Sequence, residues 1–449
     1  MDRRVTQLLS QIADTVGGRL IGTDRPVEVT AAVDSRHVPA GGLFAALPGA
    51  RVDGHQFVAA ALSGGAGGAL ISDPRAAVGV DGVIVVDDVA RALGVLARAH
   101  VTGQRDHLKV VAITGSMGKT TTKDLLTHLV PAPVVATRRS MNNELGVPLT
   151  ALEVDEHTAT LVLEMGADHE GDLTYLTGLV PPDVAVVLAV GRAHLGVFGS
   201  VAAIARAKAE LVQALGPDGT AVLNADDPLV AEMAPLAPRR VFFGRGQEVR
   251  AEGIALDGRS RASFTLYLPD GAASVKLGLV GAHHVGNALA AAAAAHVLGV
   301  GVDAIAAGLS EHGPDSPHRM DVTQRADGIT VIDDAYNANP ASMAAALRTL
   351  AHLSRGRRSV AVLGPMLELG PQEVELHREV GQLARELGID AVYTLGELSA
   401  HIAVPGLDVT QCADLSELRA ALELRAGDVV LFKASNGSHL YELAEEWSR

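Results

Sequence analysis

Residues 110–126 read VVAITGSMGKTTTKDLL, and this stretch decides the fold. An apolar, β-branched run, Val110 to Ile113, ends in a glycine-bounded turn. Gly-Lys-Thr follows, then a helical pattern carrying Leu125, Leu126 and Leu129. Strand, glycine loop and helix form a grip for a triphosphate. Glycines let backbone N–H groups approach the phosphates, and the helix N-terminus adds partial positive charge. The spacing predicts a loop of Gly115, Ser116, Met117, Gly118, Lys119, Thr120 and Thr121. In it Lys119 reaches the β- and γ-phosphates and the Thr120 hydroxyl reaches Mg²⁺. The pattern is shorter than G-x-x-x-x-G-K-[ST], because Ile113 stands at the first glycine.

Working outward, strands alternate with helices on both sides, which predicts parallel sheets with right-handed crossovers. At 449 residues the chain has room for about three domains. The expected architecture is α/β in three domains. Residues 1–105 form an α/β N-terminal domain with GGALIS and GVIVVDD as strands. Residues 106–315 form a P-loop-type, mostly parallel central domain with strands near Thr160–Leu163, Val184–Val190 and Thr220–Leu223. FTLYL and SVKLGLV, within 250–280, are expected to be a small antiparallel addition. Residues 316–449 form a Rossmann-like C-terminal domain with strands Ile329–Ile332, Val360–Leu363, Val392–Leu395 and Val429–Phe432. HGPDSPHR at 312–319 is the expected linker.

Composition narrows the class. The net charge is −15 and aromatic residues are only 3%, which argues against a phosphate-backbone binder and against base-stacking platforms. One cysteine, Cys412, excludes an intrachain disulfide and a cysteine-built zinc site. MDRRVTQLLSQIADTVGG has the pattern of a short amphipathic helix, not of a signal peptide, and the longest apolar stretch, 288–302, is too short and alanine-rich to span a bilayer. The expectation is a cytoplasmic protein, monomeric, with no membrane or nucleic-acid partner.

Ligands of such sheets sit past the carboxyl ends of strands. Glu164 ends TLVLE, beside the phosphate loop, as a magnesium ligand or a loop cap. His194, in VGRAHLG, is a second candidate or a half-buried histidine on backbone. In SVAAIARAKAELVQAL the apolar residues Val201, Ile204, Leu211 and Leu215 share one helix face, and Lys208 falls on it. A lysine there either snorkels its stem over the core edge or is functional. A desolvated lysine can lose its proton and react with CO₂, giving a carbamate that binds magnesium through oxygen.

TGSMGKTTT, EMGA, AHLG, AKAEL, NADD, GAHHVGNALAAAA and DDAYNANP, in that order across essentially the whole chain, resemble the Mur ligase family of ATP-dependent peptidoglycan synthetases. SMNNELGVPLTAL at 140–152, DDAYNANPASM at 333–343 and VDSRHVPAGGLFAALPGARVDGHQF are similar to the branch that adds D-alanyl-D-alanine to UDP-N-acetylmuramoyl-tripeptide. The D-N-P-R signature of the branch that adds the third peptide residue is absent.

The resemblance implies ATP, two magnesium ions and a carbamylated Lys208. Thr120, Glu164, His194 and Lys208 would bind metal, and Lys119, Glu164, His194 and Lys208 would be catalytic. His283 and Asn287 match the adenine stretch, although Asn287 could instead cap the alanine helix. Arg319, Asp333, Tyr336, Asn337 and Asn339 match residues that close on the nucleotide. Asp34, Ser35 and Arg36 match the turn that holds the uridine diphosphate end, or form a simple turn. Asn142 and Asn143 are substrate contacts or turn residues. Asn337 and Lys433–Ser438 are candidates for the pocket of the dipeptide. One departure stands out: relatives often read Arg-His-Asn where this chain has Ala282, His283 and His284. The alternatives are another amide-forming ligase of the same architecture, acting on a single amino acid or a folate, and a non-catalytic nucleotide-binding scaffold.

Overall fold

A computed structural model describes residues 5–49, 52–138, 140–313 and 315–449. Residues 1–4 of the expected first helix, 50–51 of the N-terminal motif and Pro314 of the linker lie outside the described residues. The first helix is shorter than expected: Thr6–Leu8 is a strand, paired with Pro26–Glu28, and the helix runs Leu9–Val16.

A five-stranded sheet comes first, ordered Arg19–Ile21, Val83–Val85, Gly68–Ile71, Leu43–Ala45, Ala31–Ala32; only the first of these runs antiparallel to its neighbour. The helix Val89–Thr102 follows. Its residues Ala92, Leu93 and Leu96 share one buried cluster with Leu9, Leu43 and Leu70 on one side and Leu152, Leu161 and Leu173 on the other. It thereby fastens the first part to the second.

The second part holds a six-stranded parallel sheet, ordered Arg239–Phe243, Thr220–Asn224, Val184–Val187, Lys109–Thr114, Thr160–Glu164, Val134–Ala136. Val110–Ile113 and Leu161–Leu163 are fully buried, as strands covered on both faces must be. The strand at 184 ends at Val187, three residues earlier than expected, and Val190 instead donates its N–H to Asp227. The antiparallel addition is a meander of Arg250–Leu256, Arg261–Leu268 and Gly271–Val280. The alanine-rich helix His284–Val297 is buried along most of its length against the phosphate-loop helix Lys119–Leu129, where methyl-sized side chains permit close approach.

The third part is a six-stranded sheet, ordered Asp321–Gln324, Thr330–Asp333, Val429–Lys433, Ser359–Leu363, Ala391–Leu395, Val409–Cys412. Five strands are parallel, and Asp321–Gln324 is an antiparallel edge. The carboxyl ends of the second and third sheets face one cleft of about 760 Å³.

Candidate active site

The phosphate loop is built as its sequence requires. Gly118 has φ 81°, in the left-handed region, and a Cβ there would lie 2.3 Å from Asn287 Oδ1. Only glycine meets both conditions without strain. Ser116 N–H donates to Ala189 O (2.9 Å), and Gly191 N–H donates to Ser116 Oγ (2.8 Å), tying the loop to the strand end at 187. Lys119 begins the helix and folds back, donating from Nζ to Gly115 O at 2.8 Å. Burial lowers its pKa, opposed by the charge of Glu164 and reinforced by that of Arg319.

Two neighbouring strands bring the acid to the loop. Glu164 is 3% exposed, and its N–H donates to Thr137 Oγ1. Thr120 Oγ1 donates to Glu164 Oε2 at 2.8 Å, and Asn142 Nδ2 donates to Glu164 Oε1 at 2.9 Å. Asn143 Oδ1 accepts from Gly146 N–H (3.0 Å) and so organises the start of the helix Gly146–Ala151. Both asparagines also line the cleft.

Lys208 lies in the helix Val201–Gln213, 4% exposed, and its amine reaches the cleft. It makes no hydrogen bond or ion pair among the described residues. Burial pushes its pKa down to about 7, helped by the positive charge of Lys119 and opposed by Asp168. An amine of this kind is substantially neutral, and hence nucleophilic, at ordinary pH.

The third part supplies the opposite wall. His194, itself left-handed at φ 57°, places Nδ1 against the Glu368 carboxylate and 3.4 Å from Asp168 Oδ1. Beside it Gly196 N–H donates to Glu368 O (2.9 Å), and a Cβ on Gly196 would lie 2.6 Å from Gly370 N. Asn339 caps the helix Pro340–Leu353 by accepting from Ser342 N–H, and its Nδ2 donates to Ser116 O at 3.3 Å, directly on the phosphate loop. The Arg319 guanidinium stacks 4.2 Å from the centre of the Tyr336 ring, and both face the cleft. Lys433 Nζ, 2% exposed, donates to the Asp334 carboxylate and to Asn337 O (2.9 Å).

The cleft thus gathers Gly115–Thr121, Asn142, Asn143, Glu164, His194, Lys208, His283, Asn287, Arg319, Tyr336, Asn337 and Asn339. Asp333 does not line the cleft. Its side chain is 5% exposed and is bonded to His318, while the next residue, Asp334, lines the cleft. Asn287 does not cap the alanine helix either: His283 occupies that position, and Asn287 Nδ2 sits 3.1 Å from His284 Nδ1, one turn in. Asp34, Ser35 and Arg36 lie in the first part, outside the cleft. There Asp34 accepts from Arg36 N–H (3.0 Å) and pairs with the Arg36 guanidinium (2.7 Å), which holds its carboxyl below the ordinary range.

Residues that sequence reasoning missed are Asp168, Glu368, Asp334 and His284. Asp168 and Glu368 follow the strands Thr160–Glu164 and Ser359–Leu363, so the strand-end rule was the signal that could have found them. His284 is buried, with its Nε2 unpartnered and its pKa well below the ordinary value through desolvation.

Fold and site together define a three-part phosphate-loop protein whose cleft closes between the second and third parts. Residues 31–101 match the Mur ligase family catalytic domain, 113–295 the Mur ligase middle domain and 318–436 the Mur ligase glutamate ligase domain. The chain belongs to the Mur ligase family. It is 42% identical to the UDP-N-acetylmuramoyl-tripeptide–D-alanyl-D-alanine ligase of Mycobacterium tuberculosis, over 97% of this chain and 96% of that protein. Among solved structures, MurF from Acinetobacter baumannii superposes with a TM-score of 0.88 at 32% identity, covering 99% of each chain. MurF from Thermotoga maritima, solved in complex with ADP, gives 0.80 at 30% identity, covering 93% of this chain and 97% of that one.

Proposed function

We infer that this chain is an ATP-dependent ligase of peptidoglycan precursor synthesis. It joins D-alanyl-D-alanine to UDP-N-acetylmuramoyl-tripeptide, giving UDP-N-acetylmuramoyl-pentapeptide, ADP and phosphate. The observation that carries the reading is the hydrogen bond from Asn339 to Ser116 O, which brings the third part onto the phosphate loop itself. The whole-length likeness to ligases of that name supplies the substrates.

A carboxylate is a poor electrophile, with oxide as its leaving group. Attack of its oxygen on the γ-phosphorus of ATP forms a C–O–P linkage, breaks the bond to the β-phosphate oxygen and releases ADP. The amine of the dipeptide then attacks the carbonyl carbon, phosphate departs with the C–O electron pair, and the ammonium proton is lost to solvent. The first step brings two anions together, so it depends on alignment and positive charge. Lys119, Arg319 and the loop N–H groups provide charge for the phosphates. Closure of the third part excludes water that would hydrolyse the acyl phosphate.

Thr120 and Glu164 would offer hard oxygen donors to one magnesium ion, and a carbamylated Lys208, with a ring nitrogen of His194, would hold a second. Magnesium takes hard oxygen ligands and commonly shares its sphere with phosphates and water. Bound there, magnesium would neutralise phosphate charge during transfer. The unpaired Lys208 amine supports the carbamate, since carbamylation needs a neutral lysine.

We divide the chain near residues 105 and 315, with the first part, through Asp34, Ser35 and Arg36, anchoring uridine diphosphate. Among the described residues no helix is long and apolar enough to cross a membrane. One chain builds the whole cleft, so a monomer suffices, and the cytoplasm is where ATP and uridine-linked precursors meet. The test is phosphate release from ATP, expected only with both the UDP-linked tripeptide and D-alanyl-D-alanine present. Release without either would overturn the reading.

A further inference from the structure

Arg319 sits between two residues in an unfavourable backbone conformation. His318 has φ 60° and Met320 φ 59°, both left-handed and neither glycine. Such residues persist where the surroundings over-determine them. Met320 is 4% exposed, its side chain in the core of the third part. His318 is pinned at four points. Its N–H donates to Asp321 Oδ2 (2.7 Å), and its carbonyl accepts from Tyr336 N–H (3.4 Å). Its Nδ1 lies 2.7 Å from Asp333 Oδ2, and its Nε2 lies 3.4 Å from Glu445 Oε1.

Asp333 is suited to be the anchor. It ends the strand Thr330–Asp333, pairs in register with Asp321 on the edge strand, and accepts from Ala335 N–H through its other oxygen at 3.1 Å. Both carboxylate oxygens are therefore engaged inside the third part. The outcome of this bracing appears on the cleft side. Arg319 emerges over the Tyr336 ring at 4.2 Å, close enough to Lys119 for its charge to lower that amine's pKa.

We propose that His318 and Asp333 are positioning residues. The imidazole–carboxylate pair holds His318 in its left-handed conformation, and this backbone, with Met320 left-handed on the other side of Arg319, aims the Arg319 guanidinium at the nucleotide phosphates. The pair touches no substrate and acts only through Arg319. The inference rests on the proposed ATP site, but not on which acceptor or amine is joined.

The experiment is a double-mutant cycle read as the dissociation constant of β,γ-methylene-ATP, with full-length protein and no acceptor or dipeptide. His318→Ala is expected to weaken binding about tenfold, the scale of losing a contact to a charged group. Arg319→Ala is expected to weaken it at least as much, and the double variant His318→Ala/Arg319→Ala no more than Arg319→Ala alone. Contacting residues that act through one another are non-additive in this way. Additive losses would overturn the proposal, because they would mean that His318 acts independently of Arg319. His318→Gly separates backbone from side chain: glycine takes φ +60° freely, so wild-type affinity in that variant would also overturn it, and an affinity like that of His318→Ala supports it. Should His318→Ala lower the urea midpoint enough to unfold the protein, Asp333→Asn carries the same cycle with Arg319→Ala. Failure of the ligase reading would show separately, as absence of ligation by the wild type.

Discussion

The Thr120 hydroxyl donates to Glu164 Oε2 at 2.8 Å, so the first turn of the phosphate-loop helix and the end of the neighbouring strand are already joined. The register places them together: Glu164 pairs with Ile113, two residues before the loop begins at Gly115. A hydroxyl and a carboxylate held this way are pre-arranged to share one hard cation. Glu164→Gln keeps the shape and removes the charge, so the magnesium concentration for half-maximal activity should rise steeply. His194→Ala should alter a different part of the same titration. A magnesium titration unchanged by both substitutions would remove the assignment of these residues to metal.

Lys119→Ala should abolish turnover. In the proposed mechanism the transferring phosphoryl group then loses its principal side-chain cation, a loss of about 3 kcal/mol or more in transition-state stabilisation. Among the described residues the Lys119 side chain makes one hydrogen bond, to Gly115 O within its own loop. The urea midpoint should therefore stay near that of the wild type, and the two measurements together separate chemistry from folding.

Lys208 gives a pH signature. Burial puts its pKa at about 7, against 10.5 when unperturbed. Between those values the unfolded chain binds one more proton than the folded chain, so stability rises with pH across that window. The cost of burying the ammonium is fully present below pH 7. In CO₂-free buffer Lys208→Met should therefore stabilise most below pH 7, and its advantage should fade toward pH 10. The same neutral amine is what CO₂ needs. Activity of the wild type depleted of CO₂ should recover with bicarbonate, faster as pH rises through 7, whereas Lys208→Met should remain inactive under both conditions.

The phosphate loop, the parallel sheets and the place of Lys208 were legible because each follows from local pattern: a buried apolar run before a glycine turn, and spacings of three and four along one helix. That Asp334 and not Asp333 lines the cleft was not legible, because strand periodicity does not say which of two adjacent acids faces a distant domain. Glu368 follows a strand end, but its contact with His194 was not legible. Its partner His194 lies 174 positions away, and the contact depends on Gly196 and Gly370 letting two loops touch. The three-residue overrun at Val184–Val190 has another cause, since Leu188–Val190 continue the apolar pattern while their backbone leaves the ladder to brace the phosphate loop.

The last expectation concerns what is joined to what. Asp34, Ser35 and Arg36 belong to the first part, whereas the cleft that holds Lys119 and Lys208 is lined entirely by the second and third. An acceptor anchored by its uridine diphosphate in the first part must extend to bring its terminal carboxylate to the γ-phosphate. The anchored length then acts as a ruler, favouring the tripeptide over the bare muramic acid or its monopeptide. The incoming dipeptide brings a carboxylate of its own, and Lys433, buried beside Asn337 and paired with Asp334, is the cation tested for meeting it. Ligation products read by mass for each acceptor–amine pair should show the tripeptide with D-alanyl-D-alanine well above every other combination. Lys433→Ala should raise the KM for the dipeptide while leaving that for ATP nearly unchanged. Equal turnover with a single amino acid such as L-alanine or L-lysine would place the chain in another branch of its family.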